Sequence, residues 1–543
     1  MKHWIITGLA LGICAGANAQ NRRNLTQGDT AIMIGRNRVE LTDARRIPTE
    51  PKIETPEYHH PELSYSVQVS PLAVPAKIQV PKAERMQKEK EPSYHHNYIK
   101  VGYGSNLSPM ADAYIVMPGK NGMLAFDYHF MSANGPGYMD FIRNRGGIVG
   151  KRYFKKGNLE ANFNFKRRSF YFYGYDPEVY KPAKNSDIQQ FFQNLGGKLA
   201  WETKPLGRNK TYFRAEGDFY SFSDRWKQTE NRLNLHGLYR FLVEKNELSI
   251  QLGYQMQNFS NDSTSFVRNY IDIQPYYTIR KKNWEMTLGF NSTIKQQQNE
   301  STLFTFFPRL EGVYEIEKNQ LAFFAGITGQ VNKNNFRDFA NTNPYMSYNP
   351  NLQPSIQQFI MNGGLKGKLT GNTGFVAKVL YTRTKDMPLF VMDTNMLNTY
   401  VIINDDIELT QLNGEITHQY SEKFRLALDV KYNFYKTTIQ TAAWQLPNLQ
   451  TKLNMTYNMG DKILLSMDAF VYGKRKSYRI NEPTDAFHSI KALGDFNLGL
   501  DYRYKKQISA FLRLNNLLGQ NFQVWYRYPM YSFNMHAGIA IGF

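Results

Sequence analysis

The histidines of this 543-residue chain are the first residues to consider as metal ligands. Two adjacent pairs, His59 with His60 and His95 with His96, carry imidazoles, which suit Zn, Cu, Fe or Ni. Neighbouring residues on an extended chain point to opposite sides, so one pair cannot easily hold one ion. We therefore expect no metal site and no cofactor, and we expect these histidines to be polar residues of an extended segment.

Motifs that mark hydrolases and nucleotide-binding enzymes do not occur in the sequence. It has no Gly-x-Ser-x-Gly elbow with plausible partners, no His-Glu-x-x-His and no phosphate-binding glycine loop. A membrane-embedded hydrolase could still combine a serine with one of four histidines. These are His129, His236, His418 and His536. The lack of a motif favours a protein that is not an enzyme.

Charged residues at alternate positions are candidates for the lining of a lumen. The candidates are Arg214, Glu216, Asp218, Arg240, Arg280, Arg425, Asp429, Lys431, Asp501 and Arg503. Because both signs are present, the favoured interpretation is a solvated wall with salt bridges along it. The alternative is a selectivity surface for an anionic solute.

These charges lie in segments whose polarity has a period of two, which is typical of strands with two different faces. In the segment 213–219, apolar or small residues at odd positions alternate with charged residues at even positions. A soluble sandwich shows the same alternation. The segments here, however, run to about ten or more residues, the length that a tilted membrane strand needs. Between Asn97 and Phe543 we therefore predict an all-β fold, a transmembrane antiparallel barrel.

Short turns predict the number of strands. The turns are Pro118–Gly122, Lys155–Asn158, Lys204–Lys210, Glu244–Asn246, Lys281–Asn283, Glu317–Asn319, Gly371–Gly374, Ser421–Lys423, Gly460–Lys462 and Lys505–Lys506. The connections between them are mostly longer, an asymmetry typical of outer-membrane barrels. Ten turns separate eleven hairpins, which predicts 22 strands with both ends in the periplasm. The segments 382–408 and 519–532 are ambiguous and leave this count open by two.

Aromatic residues make up 14% of the chain and support the same fold. Several are expected near strand ends, where barrels place interfacial girdles. These are Tyr98, Trp201, Trp226, Trp284 and Trp525. A spanning sheet must also close on itself, because unpaired backbone groups are costly in hydrocarbon.

The N-terminal region predicts export. Residues 1–19 have the features of a cleaved signal peptide, with an apolar stretch before small residues. Cys14 is the only cysteine, so the mature chain has no disulfide, and a lipoprotein with Cys14 lipidated is a minor alternative. Residues 20–96 contain eight prolines, which predicts an extended periplasmic arm. Export and the formal charge of +20 favour anionic envelope partners over nucleic acid.

The C-terminal hairpin resembles the closing hairpin of TonB-dependent receptors. The segment Ile508–Phe522 contains Asn515-Asn516-Leu517, the stretch Trp525–Pro529 follows it, and the last strand ends at Phe543. In that family a strand with an Asn-Leu turn leads to a Tyr-rich, Pro-containing outer loop and a final strand with a C-terminal aromatic residue. The last strand also resembles the signal that the barrel-assembly machinery recognises. Its residues on one face are Phe533, Met535, Ala537, Ile539, Ile541 and Phe543.

The chain departs from that family in its N-terminal region. Members carry a large globular plug inside the barrel, whereas only the proline-rich residues 20–96 separate the signal from the first strand here. The nearest match to a TonB-contacting box, Asp29–Ile34, is short. The resemblance therefore implies a receptor barrel that lacks the plug, and it does not imply uptake driven by plug displacement.

Two functions remain open at this point. The first is solute transport or ligand binding at the outer membrane, in which the loop at 332–354 would contact a ligand or protein. The alternative is a non-transporting structural or accessory subunit of an outer-membrane assembly or export complex. Either function implies outer-membrane lipids and the barrel-assembly machinery as partners. Each also allows a periplasmic partner at the arm or a surface lipoprotein.

Overall fold

The computed structural model describes residues 97–175, 184–203, 211–393, 398–479 and 487–543. The predicted signal peptide, the proline-rich arm and the turn at 204–210 lie outside these ranges. Strands dominate the described residues, which include one α-helix, α1 (Phe336–Thr342), and two short 3-10 turns, Pro136–Tyr138 and Asn185–Ile188. No helix in these ranges is long and apolar enough to cross a membrane.

Most of the strands have ten or more residues. In chain order the strands are β1 (Tyr98–Gly104), β2 (Ser108–Gly119), β3 (Gly122–Ala133), β4 (Phe141–Tyr153), β5 (Gly157–Tyr171), β6 (Gln189–Thr203), β7 (Thr211–Asp224), β8 (Thr229–Val243), β9 (Asn246–Ser260), β10 (Ser265–Arg280), β11 (Trp284–Gln297), β12 (Leu303–Glu317), β13 (Leu321–Asn332), β14 (Ser355–Thr370), β15 (Thr373–Met392), β16 (Tyr400–Ser421), β17 (Phe424–Thr437), β18 (Leu449–Met459), β19 (Ile463–Tyr472), β20 (Arg475–Ser477), β21 (His488–Ile490), β22 (Leu493–Arg503), β23 (Ile508–Asn515), β24 (Gln523–Trp525), β25 (Tyr528–Pro529) and β26 (Asn534–Gly542).

Twenty-two of these strands form one closed antiparallel sheet, which confirms the predicted barrel and its strand count. Each strand pairs with its neighbours in the chain, and β1 closes the ring by pairing with β26. Asn97 and Phe543 bond to each other through their backbones, with N–O distances of 3.2 and 3.0 Å. The two ends of the barrel sequence therefore meet at one edge of the wall.

The two ambiguous segments have different structures. Residues 382–392 belong to β15 and residues 400–408 to β16, and these strands, 20 and 22 residues long, extend beyond their neighbours. Residues 394–397 lie outside the described ranges. Residues 519–532 hold β24 and β25, a small hairpin outside the ring, and β20 with β21 forms another. Neither segment changes the count of 22.

The connections differ between the two ends of the barrel, here called the turn end and the loop end. Nine described turns, of two to four residues each, lie at the turn end where the sequence predicted them. They carry Lys120, Lys155, Lys156, Lys245, Lys281, Lys282, Lys318, Lys423, Lys462, Lys505 and Lys506. The loop end holds longer connections, although β1 and β2 are joined by only three residues, 105–107.

Close backbone packing at the seam between β1 and β26 requires a glycine. A Cβ added to Gly538 would overlap the carbonyl oxygen of Val101 and would lie 2.6 Å from the ring of Phe511. Gly414 on β16, by contrast, has no atom within 4 Å of an added Cβ. The strand that closes the ring therefore depends on the small size of one residue.

Candidate functional site

Side chains from the loops gather at the loop end into one buried group, here called the mouth cluster. Its buried members are Phe170, Phe172, Ile188, Phe192, Tyr220, Phe222, Phe259, Phe336, Phe339, Ala340, Met346, Leu352, Phe390, Met392, Tyr400, Ile402, Trp525 and Tyr528. They come from strand ends and from the loops β5–β6, β13–β14 and β23–β26. Each large apolar side chain buried in this way contributes about 1.5 to 3 kcal/mol. The mouth cluster is therefore a core in its own right.

Three tyrosines, Tyr173, Tyr345 and Tyr528, meet within the mouth cluster. The ring of Tyr345 lies 5.9 Å from that of Tyr173 and 3.4 Å from that of Tyr528, and the other two are 4.9 Å apart. Their loops are separated by eight, eight and six strands around the ring. Three loops attached at such evenly spaced positions on a closed wall of roughly 40 Å diameter can meet only near the barrel axis. The three loops therefore extend across the opening of the barrel.

Buried hydrogen bonds join loops from opposite sides of the wall. Asn398 Nδ2 donates to the carbonyl oxygen of Phe172 at 3.0 Å, which links two loops ten strands apart. Tyr528 donates to the carbonyl oxygen of Asn398, and Tyr173 donates to that of Pro529 at 2.9 Å. Burial raises the pKa of Tyr173 and Tyr528 well above the ordinary value of 10, because a phenolate there would lack water.

A buried carboxylate fixes α1 against the wall. Glu230 on β8 is fully buried, and its Oε2 accepts from the backbone N–H of Phe336 at 2.7 Å and from Gln257 at 3.0 Å. Its Oε1 accepts from the hydroxyl of Tyr220 at 2.6 Å and from the N–H of Arg337 at 3.5 Å. The carboxylate thus joins β7, β8 and β9 to the first turn of α1, which belongs to the loop between β13 and β14.

The predicted lumen charges fall into local groups. Arg214 bonds Glu216 at 2.8 Å and Glu202 at 3.2 Å, and Lys198 lies 3.6 Å from Glu216. These residues share one face of β6 and β7. Phe213, on the opposite face, is 41% exposed. The first group is therefore a network of both signs rather than a patch of positive charge.

A second network involves two other predicted arginines. Arg240 and Arg280 both reach Glu247, at 3.6 and 3.2 Å, and Arg280 also bonds Glu285 at 2.9 Å. Glu285 lies directly opposite Arg280 in the sheet register. The structure therefore brings together charges from β8, β9, β10 and β11.

The remaining predicted charges form smaller contacts. Lys431 lies 3.2 Å from Asp429, and Asp501 pairs with Arg513 at 2.6 Å rather than with Arg503. Arg503 donates to the carbonyl oxygen of Asp461 at 3.3 Å. Asp218 accepts from the amide of Asn234. Arg425 forms no ion pair with any residue in the described ranges.

The sequence prediction missed several partners of these charges. They are Lys198, Glu202, Glu247, Glu285 and Arg513. Their positions on alternate residues of neighbouring strands are a signal that could have identified them. Glu230 carries no such signal, because its partners in α1 are more than a hundred positions away in the chain.

One serine–histidine contact occurs among the histidines considered for catalysis. Ser108 Oγ lies 2.8 Å from Nε2 of His536, and both residues are buried. The hydroxyl donates to the carbonyl oxygen of Ser132 at 2.7 Å, so the imidazole Nε2 must donate to the hydroxyl. A histidine that acts as a general base would instead accept the proton of the serine hydroxyl. Among the described residues no group of three or more possible metal ligands occurs.

Two of the aromatic residues assigned to a girdle were placed wrongly by the sequence prediction. Trp525 is 3% exposed within the mouth cluster, and Trp226 packs against that cluster, so neither lies at a membrane interface. The predicted loop at 332–354 is also part of this cluster through α1. In the last strand, by contrast, Met535, Ile539 and Ile541 lie exposed on one face, as the alternation predicted.

The described residues thus define a closed 22-stranded barrel whose loop end is covered by its own loops. No family model matches the sequence. No curated protein matches it either.

Solved structures share this fold at low sequence identity. The iron transporter FrpB from Neisseria meningitidis (F3-3 variant) superposes with a TM-score of 0.65 at 10% identity, over 83% of this chain and 82% of that chain. The ferric-catecholate import receptor Fiu from E. coli K12 gives 0.63 at 8% identity, over 84% and 82%. The pyoverdine outer membrane receptor FpvA from Pseudomonas aeruginosa PAO1, bound to pyoverdine, gives 0.62 at 12% identity, over 84% and 79%. These neighbours are TonB-dependent receptor barrels, so this chain has their barrel fold.

Proposed function

We propose that this chain is an outer-membrane barrel that binds or transports a solute, and that the mouth cluster closes its outer opening in the state described here. The meeting of Tyr173, Tyr345 and Tyr528 across the opening carries the proposal. A wide barrel needs such a barrier, because an open lumen would breach the membrane. The fold shared with iron and siderophore receptors supports a function in transport or ligand binding.

The proposed orientation places the apolar face of the wall against lipid and the charged face in the lumen. α1 supports this placement, because it contacts the same face of β7 that carries Arg214, Glu216 and Asp218. A loop from β13 and β14 can reach that face of β7 only through the interior. The ten predicted charges would then line a lumen in which ion pairs balance most of the charge.

The N-terminal region supplies two further parts of the proposal. Residues 1–19 would direct export, and residues 20–96 would form an arm on the turn-end side that limits access to the lumen. The resemblance of the last strand to an assembly signal implies insertion by the barrel-assembly machinery. The +20 charge and the absence of enzyme motifs support a non-enzymatic envelope protein.

A structural or accessory role is the second candidate. The buried hydrogen bonds between loops ten strands apart favour it, because they would have to break before a solute could pass. In this case the barrel would anchor other envelope proteins through its arm or its loops, and a surface lipoprotein could be one of them.

Conductance in planar bilayers distinguishes the two functions. We expect the full-length mature chain to conduct little and the double variant Tyr345→Ala with Tyr528→Ala to conduct strongly, because both rings of the closest pair are removed. Deletion of residues 20–91 measures the contribution of the arm. Tyr420→Ala is the matched control, since Tyr420 is 73% exposed at the turn end. No conductance in any variant would contradict transport and favour the structural role.

A further inference from the structure

We propose that the turn end of the barrel is a binding surface for anionic phospholipid headgroups. The inference rests on the proposed placement of the barrel in a membrane, and it adds a lipid class that the proposed function does not specify. The observation behind it is the charge of the turns.

Lysine is concentrated in the turns to an unusual degree. The nine described turns contain 24 residues, of which 11 are lysines and only three, Glu244, Glu422 and Asp461, are acidic. The described connections at the loop end carry 11 basic and six acidic residues over a chain length about four times greater. The positive charge is therefore much denser at the turn end than at the loop end.

These lysines are distributed around the ring rather than gathered at one point. Eight of the nine described turns contribute at least one, and each of these lysines is exposed. Within the described ranges none of them forms an ion pair. An edge that carries lysines in eight of its nine described turns fits a partner that surrounds the barrel. A single docked protein would leave most of it uncovered.

Exposed aromatic side chains place the same edge at the depth of lipid headgroups. Trp284, Tyr314, Tyr420 and Tyr504 lie within a few residues of the lysines and are between 37% and 73% exposed. Aromatic girdles of this kind occupy the membrane–water interface in barrels. Lysine beside such a girdle extends its ammonium group to the phosphate level, whereas its stem covers apolar surface.

Charge complementarity identifies the lipid. A zwitterionic headgroup offers no net charge to an ammonium group, whereas phosphatidylglycerol carries one negative charge. A lysine near an anionic surface favours the anionic lipid by about fivefold. This preference should weaken at high salt, because these lysines are exposed and the attraction is screened within about 10 Å at 0.1 M ionic strength.

Electron spin resonance of spin-labelled lipids tests the proposal on the full mature chain in bilayers. Spin-labelled phosphatidylglycerol and phosphatidylcholine are compared for their fraction of motionally restricted lipid. The turn variant replaces Lys155, Lys156, Lys281 and Lys282 with glutamine. The control variant makes the same change at four exposed lysines of the loop end, Lys184, Lys227, Lys474 and Lys491.

We expect phosphatidylglycerol to be preferred by at least about twofold in the unchanged chain and in the control variant, and the preference to fall toward one in the turn variant. A ratio near one in the unchanged chain would overturn the proposal. An equal loss of this preference in the turn variant and in the control variant would also overturn the proposal, since net charge alone would then explain the preference. No restricted lipid of either kind would instead contradict the membrane location that the proposed function requires.

Discussion

Replacement of Glu230 by glutamine tests whether the buried carboxylate holds α1 in place. Each carboxylate oxygen accepts two hydrogen bonds, so an amide at this position must lose or reverse two of them. The least costly arrangement puts the amide nitrogen where Oε1 was, because the hydroxyl of Tyr220 can turn to accept and the 3.5 Å bond from Arg337 is weak. The loss of charge and of these bonds then costs about 2 to 3 kcal/mol.

Hydrogen exchange of the α1 amides measures this cost directly. A loss of about 2 to 3 kcal/mol in local stability raises the exchange rate of residues 336–342 by roughly 30- to 150-fold if α1 opens locally. Glu244→Gln at the turn end is the control, because Glu244 is exposed and distant from α1. Unchanged exchange in Glu230→Gln, at equal barrel content, would refute the assigned role of this carboxylate.

Two other predictions concern closure of the wall and closure of the mouth. Gly538→Ala should reduce the folded fraction seen by heat-modifiable electrophoresis, whereas Gly414→Ala should not, because only the first places a methyl group in the β1–β26 seam; equal behaviour of the two would contradict the packing described. The mouth should stay closed up to about pH 10 and weaken above it. Burial in the closed mouth raises the pKa of Tyr173 and Tyr528, so these phenols lose their protons at a lower pH in the open mouth than in the closed one. Alkali therefore favours the open mouth. Conductance between pH 8 and pH 11 measures this, and a steady opening below pH 9 would be inconsistent with neutral buried phenols.

The wall was predictable because its signals are local. Alternation between faces and short polar turns depends on residues close together in sequence, and all nine described turns fall where these signals placed them. Even one ion pair follows from this register, since the four residues 281–284 between the two side chains place Glu285 opposite Arg280. The count of 22 strands required no information about contacts between residues that are distant in sequence.

The mouth cluster was not predictable in the same way. Its aromatic residues lie in loops without periodicity, and Tyr173 and Tyr528 are in contact although 355 positions separate them. An aromatic residue near a strand end suits an interfacial girdle as well as a buried cluster, and this ambiguity explains the error at Trp525. The girdle and the buried cluster can be distinguished only in the closed ring, where all the loops come to one opening.

Cross-linking between loops on opposite sides of the wall tests the central claim that these loops meet over the opening. Cys14 is the only cysteine of the chain and lies within the predicted signal peptide, so the pair Phe172→Cys with Asn398→Cys can be joined by a short bismaleimide in outer-membrane preparations. The control pair keeps Phe172→Cys and adds Ile439→Cys, at a side chain that is 74% exposed on another loop. Efficient intramolecular cross-linking of the first pair and little of the second is the predicted result. Equal cross-linking of both pairs, or none in the first, would contradict a mouth closed by its own loops.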